Sequence, residues 1–266
     1  MIIIGERINT SRKTIAPSVN ERNRQLISDE AIHQVESGAT FIDVNCGTLL
    51  ELEPEALEWL VQIVQKATGN APCSIDSPNP KAIERALKVH RGKPIVNSIS
   101  AEDGRFHAIL PLVREYQTGV IALTLDDEGM PETAEKRLQI AGFLIEKLTS
   151  AGVSFGDIYI DPMVRPVSTG DQYGQVVFET LRSLNQEYPG VHTICGLSNI
   201  SYGLPARKII NQAFLVMALQ AGLDGAILDP LDKRLISLIY ASELLLKKDE
   251  YATNFIHAFR EGELEV

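Results

Sequence analysis

Short polar groups follow β-branched runs along the whole chain. They are Gly5-Glu6-Arg7-Ile8-Asn9, Asp43-Val44-Asn45, Asp76-Ser77, Asn97-Ser98, Thr124-Leu125-Asp126, Asp161-Pro162, Gly196-Leu197-Ser198-Asn199 and Asp229-Pro230. The i, i+2 spacing of Asp43 and Asn45 sends both side chains to one face of an extended strand. Taken singly, each group is also what a turn or a helix N-cap would use. Taken together, a ring of carboxylates and carboxamides with few bases suits a heterocycle presenting N–H and NH₂ donors beside a carbonyl acceptor. A pterin has that edge.

Other chemistries lack their residues. His33, His90, His107 and His257 fall on helical segments or their ends, and His192 precedes its strand. A histidine base or a three-histidine metal site is therefore not expected. Cys46, Cys73 and Cys195 are odd in number and far apart, with no C-x-x-C, so they read as buried thiols of a reducing compartment rather than as disulfides or zinc ligands. No G-x-S-x-G, P-loop or G-x-G-x-x-G occurs. A net charge of −10 without a long basic cluster argues against nucleic-acid binding. With no long apolar run and no basic leader before Glu6, the expectation is a cytoplasmic protein outside the membrane.

Strands at Ile2–Gly5, Thr40–Asn45, Cys73–Asp76, Pro94–Asn97, Gly119–Leu125, Asp157–Asp161, Thr193–Leu197 and Gly225–Asp229 alternate with amphipathic segments. In Pro54–Thr68, for example, Leu57, Leu60, Val61 and Val64 share one face. Further helices are expected over Ser28–Glu36, Pro80–Val89, Arg105–Tyr116, Pro131–Ala151, Gln172–Gln186, Pro205–Ala221 and Lys233–Leu246. Pro54 and Pro131 suit first helical turns, and Gly38, Gly152 and Gly222 suit left-handed ends. Eight βα units in one chain predict a (β/α)₈ TIM barrel, a single domain over residues 1–266, with every polar group above at the C-terminal mouth. Pro162–Gln172 is the longest candidate lid. The aromatic stripe Tyr251, Phe255, Phe259 is expected to pack on the barrel.

In this order and strand context, Ile4–Asn9, Ile42–Asn45, Ser74–Ser77, Val96–Ser98, Tyr159–Pro162 and Gly196–Ser201 resemble the methyltetrahydrofolate:corrinoid methyltransferase family of pterin-binding barrels. Gly196–Ser201 with Arg207 points to the methyltransferase branch. The resemblance implies that Asp76, Asn97 and Asp161 hydrogen-bond the pterin, with Ser198 and Asn199 near its reactive edge. Gly196 would admit the ring, and Arg207 would lie near the folate or its anionic tail. Glu6, Asp43 and Asn45 match early motifs but also suit core hydrogen bonding. Arg165–Gly174 and Tyr202–Pro205 depart from the familiar pattern.

The implied substrate is methyltetrahydrofolate or tetrahydrofolate, and the implied acceptor or donor is the cobalt of a corrinoid. Because no D-x-H-x-x-G element occurs, the corrinoid is expected on a separate corrinoid protein or as free cobalamin. N5 is a poor leaving group unless protonated, so Asn199 is expected to accept a hydrogen bond from protonated N5, with a water-borne proton passing through the Asp76 network. A homodimer is expected from the resemblance. Two alternatives stand beside this reading: a dihydropteroate synthase-like pterin enzyme, and a folate-binding module without turnover. The first needs a lysine after the seventh strand and a Ser-x-Arg-x-His element after the eighth, and neither is present.

Overall fold

The computed structural model describes residues 1–265, and Val266, the last position of the expected domain, lies outside the described residues. Eight parallel strands close a barrel in chain order: β1 (Ile2–Asn9), β2 (Phe41–Asn45), β3 (Cys73–Asp76), β4 (Ile95–Ser100), β5 (Gly119–Leu123), β6 (Ile158–Asp161), β7 (His192–Gly196) and β8 (Gly225–Leu228). Ile4, Ile95, Ile121, Tyr159 and Ile194 form one buried cluster contributed by β1 and by β4 to β7. The closed sheet thus has a packed interior rather than a pore.

The helices are α1 (Ile15–Asn20), α2 (Arg24–Glu36), α3 (Glu53–Ala67), α4 (Pro80–Val89), α5 (Asp103–Glu115), α6 (Ala134–Ser150), α7 (Tyr173–Glu187), α8 (Arg207–Gln220), α9 (Lys233–Leu245) and α10 (Thr253–Arg260). Leu57, Leu60, Val61 and Val64 are buried from α3, as their spacing predicts. Asn79, Thr133 and Asp232 cap α4, α6 and α9 by accepting from Lys81, Lys136 and Leu235 amides. Gly38, Gly152 and Gly222 have φ of 92°, 94° and 107°, where a side chain would be strained.

Three local expectations differ from the structure. Pro131 precedes the helix, because Thr133 supplies the cap and α6 begins at Ala134. Strand β1 runs on through the polar Glu6–Asn9, with its register against β2 shifted between Gly5 and Ile8. The aromatic stripe does not pack on the barrel: Tyr251 and Phe259 are exposed. Left-handed Tyr251 and Ala252, φ 56° and 57°, break the helical period, so Tyr251 does not share a helix face with Phe255 and Phe259.

Candidate active site at the barrel mouth

Strand register builds the polar floor of the mouth. Asn9 pairs with Asn45, Asn45 with Asp76, and Asp76 with Asn97, so one tier of amide and carboxylate side chains crosses β1 to β4. Asn45 Nδ2 donates to Asp76 Oδ2 at 2.8 Å, while Asn45 Oδ1 accepts from the Gly47 amide at 3.1 Å. One tier below, buried Asp43 accepts from Ser74 Oγ at 2.6 Å and from Asn97 Nδ2 at 3.3 Å through the same oxygen. Asp43 and Asn45 therefore orient the tier. Asp76 Oδ1 and Asn97 Oδ1 accept no hydrogen bond among the described residues, which leaves two acceptors for a donor-rich ligand.

Burial sets the protonation of these groups. It pushes the Asp76 carboxyl up to about 6, against the Asn45 hydrogen bond and the Arg105 charge, which pull it down. Asp43 is raised well above the usual carboxylate range by burial and by the neighbouring Asp76 charge. Glu6 is raised to about 7 by burial and Asp229, with Arg12, Arg207 and Arg7 opposing. Arg7 ties β1 to the end of β8 by donating to Asp229 Oδ2 at 2.8 Å and also pairs with Glu30.

Asp161 ends β6 on the far side of the β5 residue Leu123, its register partner. Its Oδ1 accepts from the Met163 amide at 2.7 Å, and burial raises its carboxyl to about 7. Asp161 makes no hydrogen bond with Asp76 or Asn97 among the described residues, and it is buried, so the candidate pterin residues form two separate groups. A cavity of about 530 Å³ is lined by Asp76, Asn97, Ser98, Leu123 and Arg105. A larger cleft of about 920 Å³, bordered by Lys93, Arg114, Thr118 and Asp157, lies at the opposite end of the barrel and touches none of the tier.

After β7 the chain enters a 3₁₀ turn, Leu197–Ser201, that carries Ser198 and Asn199. Asn199 is exposed, and its carboxamide makes no hydrogen bond among the described residues. Gly196 lies directly beneath it, where an added Cβ would come within 3.0 Å of Asn199 Nδ2. Arg207, the first residue of α8, turns back onto this turn, donating to Ser198 O at 2.7 Å and to Ser201 Oγ at 3.0 Å. The β6–α7 segment expected as a lid is fastened to the same turn: the Val167 amide donates to Ile200 O at 3.0 Å and Ser168 Oγ to Tyr202 O at 2.7 Å. Arg165 stacks on Tyr173 and pairs with Glu132, which also accepts from the Tyr173 hydroxyl. These contacts fasten the segment to the β7–α8 turn and to Glu132.

Two site residues escaped the sequence reading. Arg105 donates to Ser77 O at 2.8 Å and to Ser98 O at 2.9 Å, clamping the exits of β3 and β4. Arg137, wholly buried, does the same beyond β6. Each lies near the start of a helix, where the macrodipole disfavours a cation, and that misplacement is the signal a sequence does offer.

The chain matches the pterin binding enzyme family over residues 5–229. It is 35% identical to the methylcorrinoid:tetrahydrofolate methyltransferase of Eubacterium limosum, covering 99% of this chain and 98% of that protein. It is 32% identical to the methionine synthase of Mycobacterium tuberculosis, covering 85% of this chain but 20% of that longer protein. Among solved structures it resembles dihydropteroate synthase from Yersinia pestis, with a TM-score of 0.66 at 16% identity, covering 92% of this chain and 93% of that one. The dihydropteroate synthase of Xanthomonas albilineans gives 0.62 at 18%, covering 94% and 93%. These structural likenesses are of fold.

Proposed function

From its membership of the pterin-binding enzyme family, in the branch of the Eubacterium limosum methyltransferase, we propose that this chain moves the N5-methyl group between tetrahydrofolate and the cobalt of a corrinoid. The observation that carries the reading is the set of free acceptors at the mouth. Asp76 and Asn97 meet the pterin edge from one side and Asp161 from the other. Asn199, held over Gly196 and buttressed by Arg207, faces N5 from the end of β7. Ser198 and Gly196 line the approach to the ring, and Arg207 carries the positive charge available to the folate tail.

The Eubacterium limosum protein is named with the methylcorrinoid as donor, and we take the same direction here. The N5 lone pair forms the new N–CH₃ bond while the cobalt–carbon bond breaks, leaving both electrons on cobalt. N5 becomes an ammonium and must then lose a proton. A carboxamide oxygen suits this task, because Asn199 accepts from the N5–H without becoming charged. Asp76, with its carboxyl near 6, takes the proton through water. In the reverse direction the same groups deliver it.

No D-x-H-x-x-G element occurs within these 266 residues, so the corrinoid comes to the barrel from outside it. A homodimer is supported by apolar side chains left exposed on adjoining elements, Ile209 and Met217 on α8, Leu245 at the end of α9 and Phe259 on α10. Three buried free thiols favour a cytoplasmic, reducing compartment. No helix among the described residues is long and apolar enough to cross a membrane.

The test is methyl transfer from a methylated corrinoid protein, or from methylcobalamin, to tetrahydrofolate. Formation of methyltetrahydrofolate with conversion of methylcobalt(III) to cobalt(I) supports the reading. Tight tetrahydrofolate binding without turnover would make the chain a binding module. Condensation of a pterin pyrophosphate with an aminobenzoate would favour the synthase alternative.

A further inference from the structure

Arg137 is the largest fully buried side chain of the molecule, and it lies behind the active site rather than in it. It rises from the first turns of α6 into the space under the β6–α7 segment. Nε donates to Pro131 O at 3.1 Å, and one terminal nitrogen donates to Pro162 O at 2.8 Å and Met163 O at 2.9 Å. The other terminal nitrogen, Nη2, is buried without a partner. An arginine among neutral carbonyls is costly unless an anion answers its charge. The anion facing it is Asp161 on β6.

The two side chains also share a backbone turn. Met163 has φ 61°, the left-handed region that a bulky residue seldom occupies. Its amide donates to Asp161 Oδ1, and its carbonyl accepts from Arg137. Arg137 therefore fixes the turn that fixes one carboxylate oxygen, and leaves Asp161 Oδ2 without a hydrogen bond among the described residues. We propose that Arg137 is a positioning residue for pterin recognition, holding the Met163 turn and supplying the positive charge that keeps Asp161 an acceptor when the ring's N–H groups arrive. This rests on the pterin reading of Asp161 given above.

Other charges near the pair are Glu132, Arg165 and Tyr173 around the guanidinium, and the Cys195 thiol beside Asp161. Glu132 is already engaged by Arg165 and Tyr173 at the surface, so it does not replace Asp161 as the counterion. Burial lifts the Asp161 carboxyl and Arg137 opposes the rise. Folate affinity should then fall as pH drops through the Asp161 titration, and removal of the cation should move that fall to higher pH.

The experiment compares wild type, Arg137→Gln, Arg137→Lys and Asp161→Asn in methyltetrahydrofolate binding from pH 5.5 to 9, with KM, kcat and thermal melting alongside. For Arg137→Gln we expect about tenfold weaker binding at pH 7, a midpoint at least about half a unit more alkaline, and kcat at saturation within about twofold of wild type. Arg137→Lys should keep the wild-type midpoint while raising KM, because it retains the charge without the fork. A folded Arg137→Gln with wild-type KM and midpoint overturns the proposal. If that variant does not fold, Arg137→Lys decides: wild-type KM overturns the proposal, and raised KM at an unmoved midpoint supports it. Wild type that binds no methyltetrahydrofolate removes the pterin reading itself. Wild type that binds, with only Asp161→Asn impaired, removes this inference alone.

Discussion

The carboxamide of Asn199 lies folded over Gly196, so close that a Cβ on the glycine would stand 3.0 Å from Nδ2. Gly196 has φ −70° and ψ 99°, a conformation open to other residues, so the glycine is needed for the close approach and not for backbone freedom. Asn199→Ala should leave the barrel folded and slow methyl transfer at least about a hundredfold, the scale of one well-placed transition-state hydrogen bond. Gly196→Ala should slow transfer about tenfold by tilting the carboxamide. In the Asn199→Ala background it should add less than about twofold, since the group it displaces is gone. Fully additive effects in kcat would show that the two residues act apart.

Asp161→Asn should separate binding from stability by weakening the first and sparing the second. A ring-edge carboxylate accepts two pterin donors, whereas the amide accepts only through one oxygen, so methyltetrahydrofolate binding should weaken at least about tenfold. The folded Asp161 carboxyl is raised to about 7 from a usual 3.8. As pH rises from about 4 the unfolded chain ionises first, and the neutral group's contribution to stability is lost as pH passes the folded value. The amide avoids that loss but leaves Arg137 without its anion at pH 8, and the two effects oppose, so the variant should melt within a few degrees of wild type at both pH 4 and pH 8. A collapse of stability with normal folate affinity would make Asp161 a fastening for the loop before Pro162.

The barrel was readable in sequence because most strands are short, largely buried apolar runs, and their C-terminal edges are marked by the polar residues themselves. Cys73–Asp76 and Pro80–Val89 coincide with the structure to the residue. The tier Asn9, Asn45, Asp76, Asn97 was visible as four separate strand ends, but their alignment is a property of register, which depends on barrel closure. The partners of Arg105 and Arg137 were not legible, because they are backbone carbonyls that carry no residue signature, and a cation near a helix start is the one hint the sequence holds. The fastening of Pro162–Gln172, the segment expected as a lid, was hidden for a related reason. Its anchors, Ile200 O and Tyr202 O, lie more than thirty residues away in the chain and are again backbone atoms.

The exposed apolar side chains of α8, α9 and α10 give the dimer a definite test. Leu245 and Phe259 are 82% and 59% exposed, and neither serves the mouth of the barrel. If a second copy covers them, sedimentation of the wild-type chain should give a dimer, and the pair Leu245→Glu and Phe259→Glu should shift it to monomer by placing unpaired charges in the contact. Secondary structure and folate affinity should hold. A wild-type chain that sediments as a monomer at micromolar concentration removes the dimer.

Among the described residues no group of three or more His, Cys, Asp and Glu side chains is arranged to hold a metal ion. Burial raises the Cys46 thiol to about 12 and pushes the Cys73 and Cys195 thiols well up, away from the thiolate form that zinc requires. The protein as isolated should therefore contain neither zinc nor cobalt by elemental analysis, and should do nothing to methyltetrahydrofolate alone. Activity should appear on adding reduced cobalamin or a reduced corrinoid protein, read as conversion of the cobalt(I) spectrum to methylcobalt(III). With a net charge of −10, docking of a protein carrier should respond to ionic strength far more than the reaction of free cobalamin does. Stoichiometric metal in the pure chain, or methyl transfer to a thiol without corrinoid, would move the acceptor assignment elsewhere while leaving the folate pocket intact.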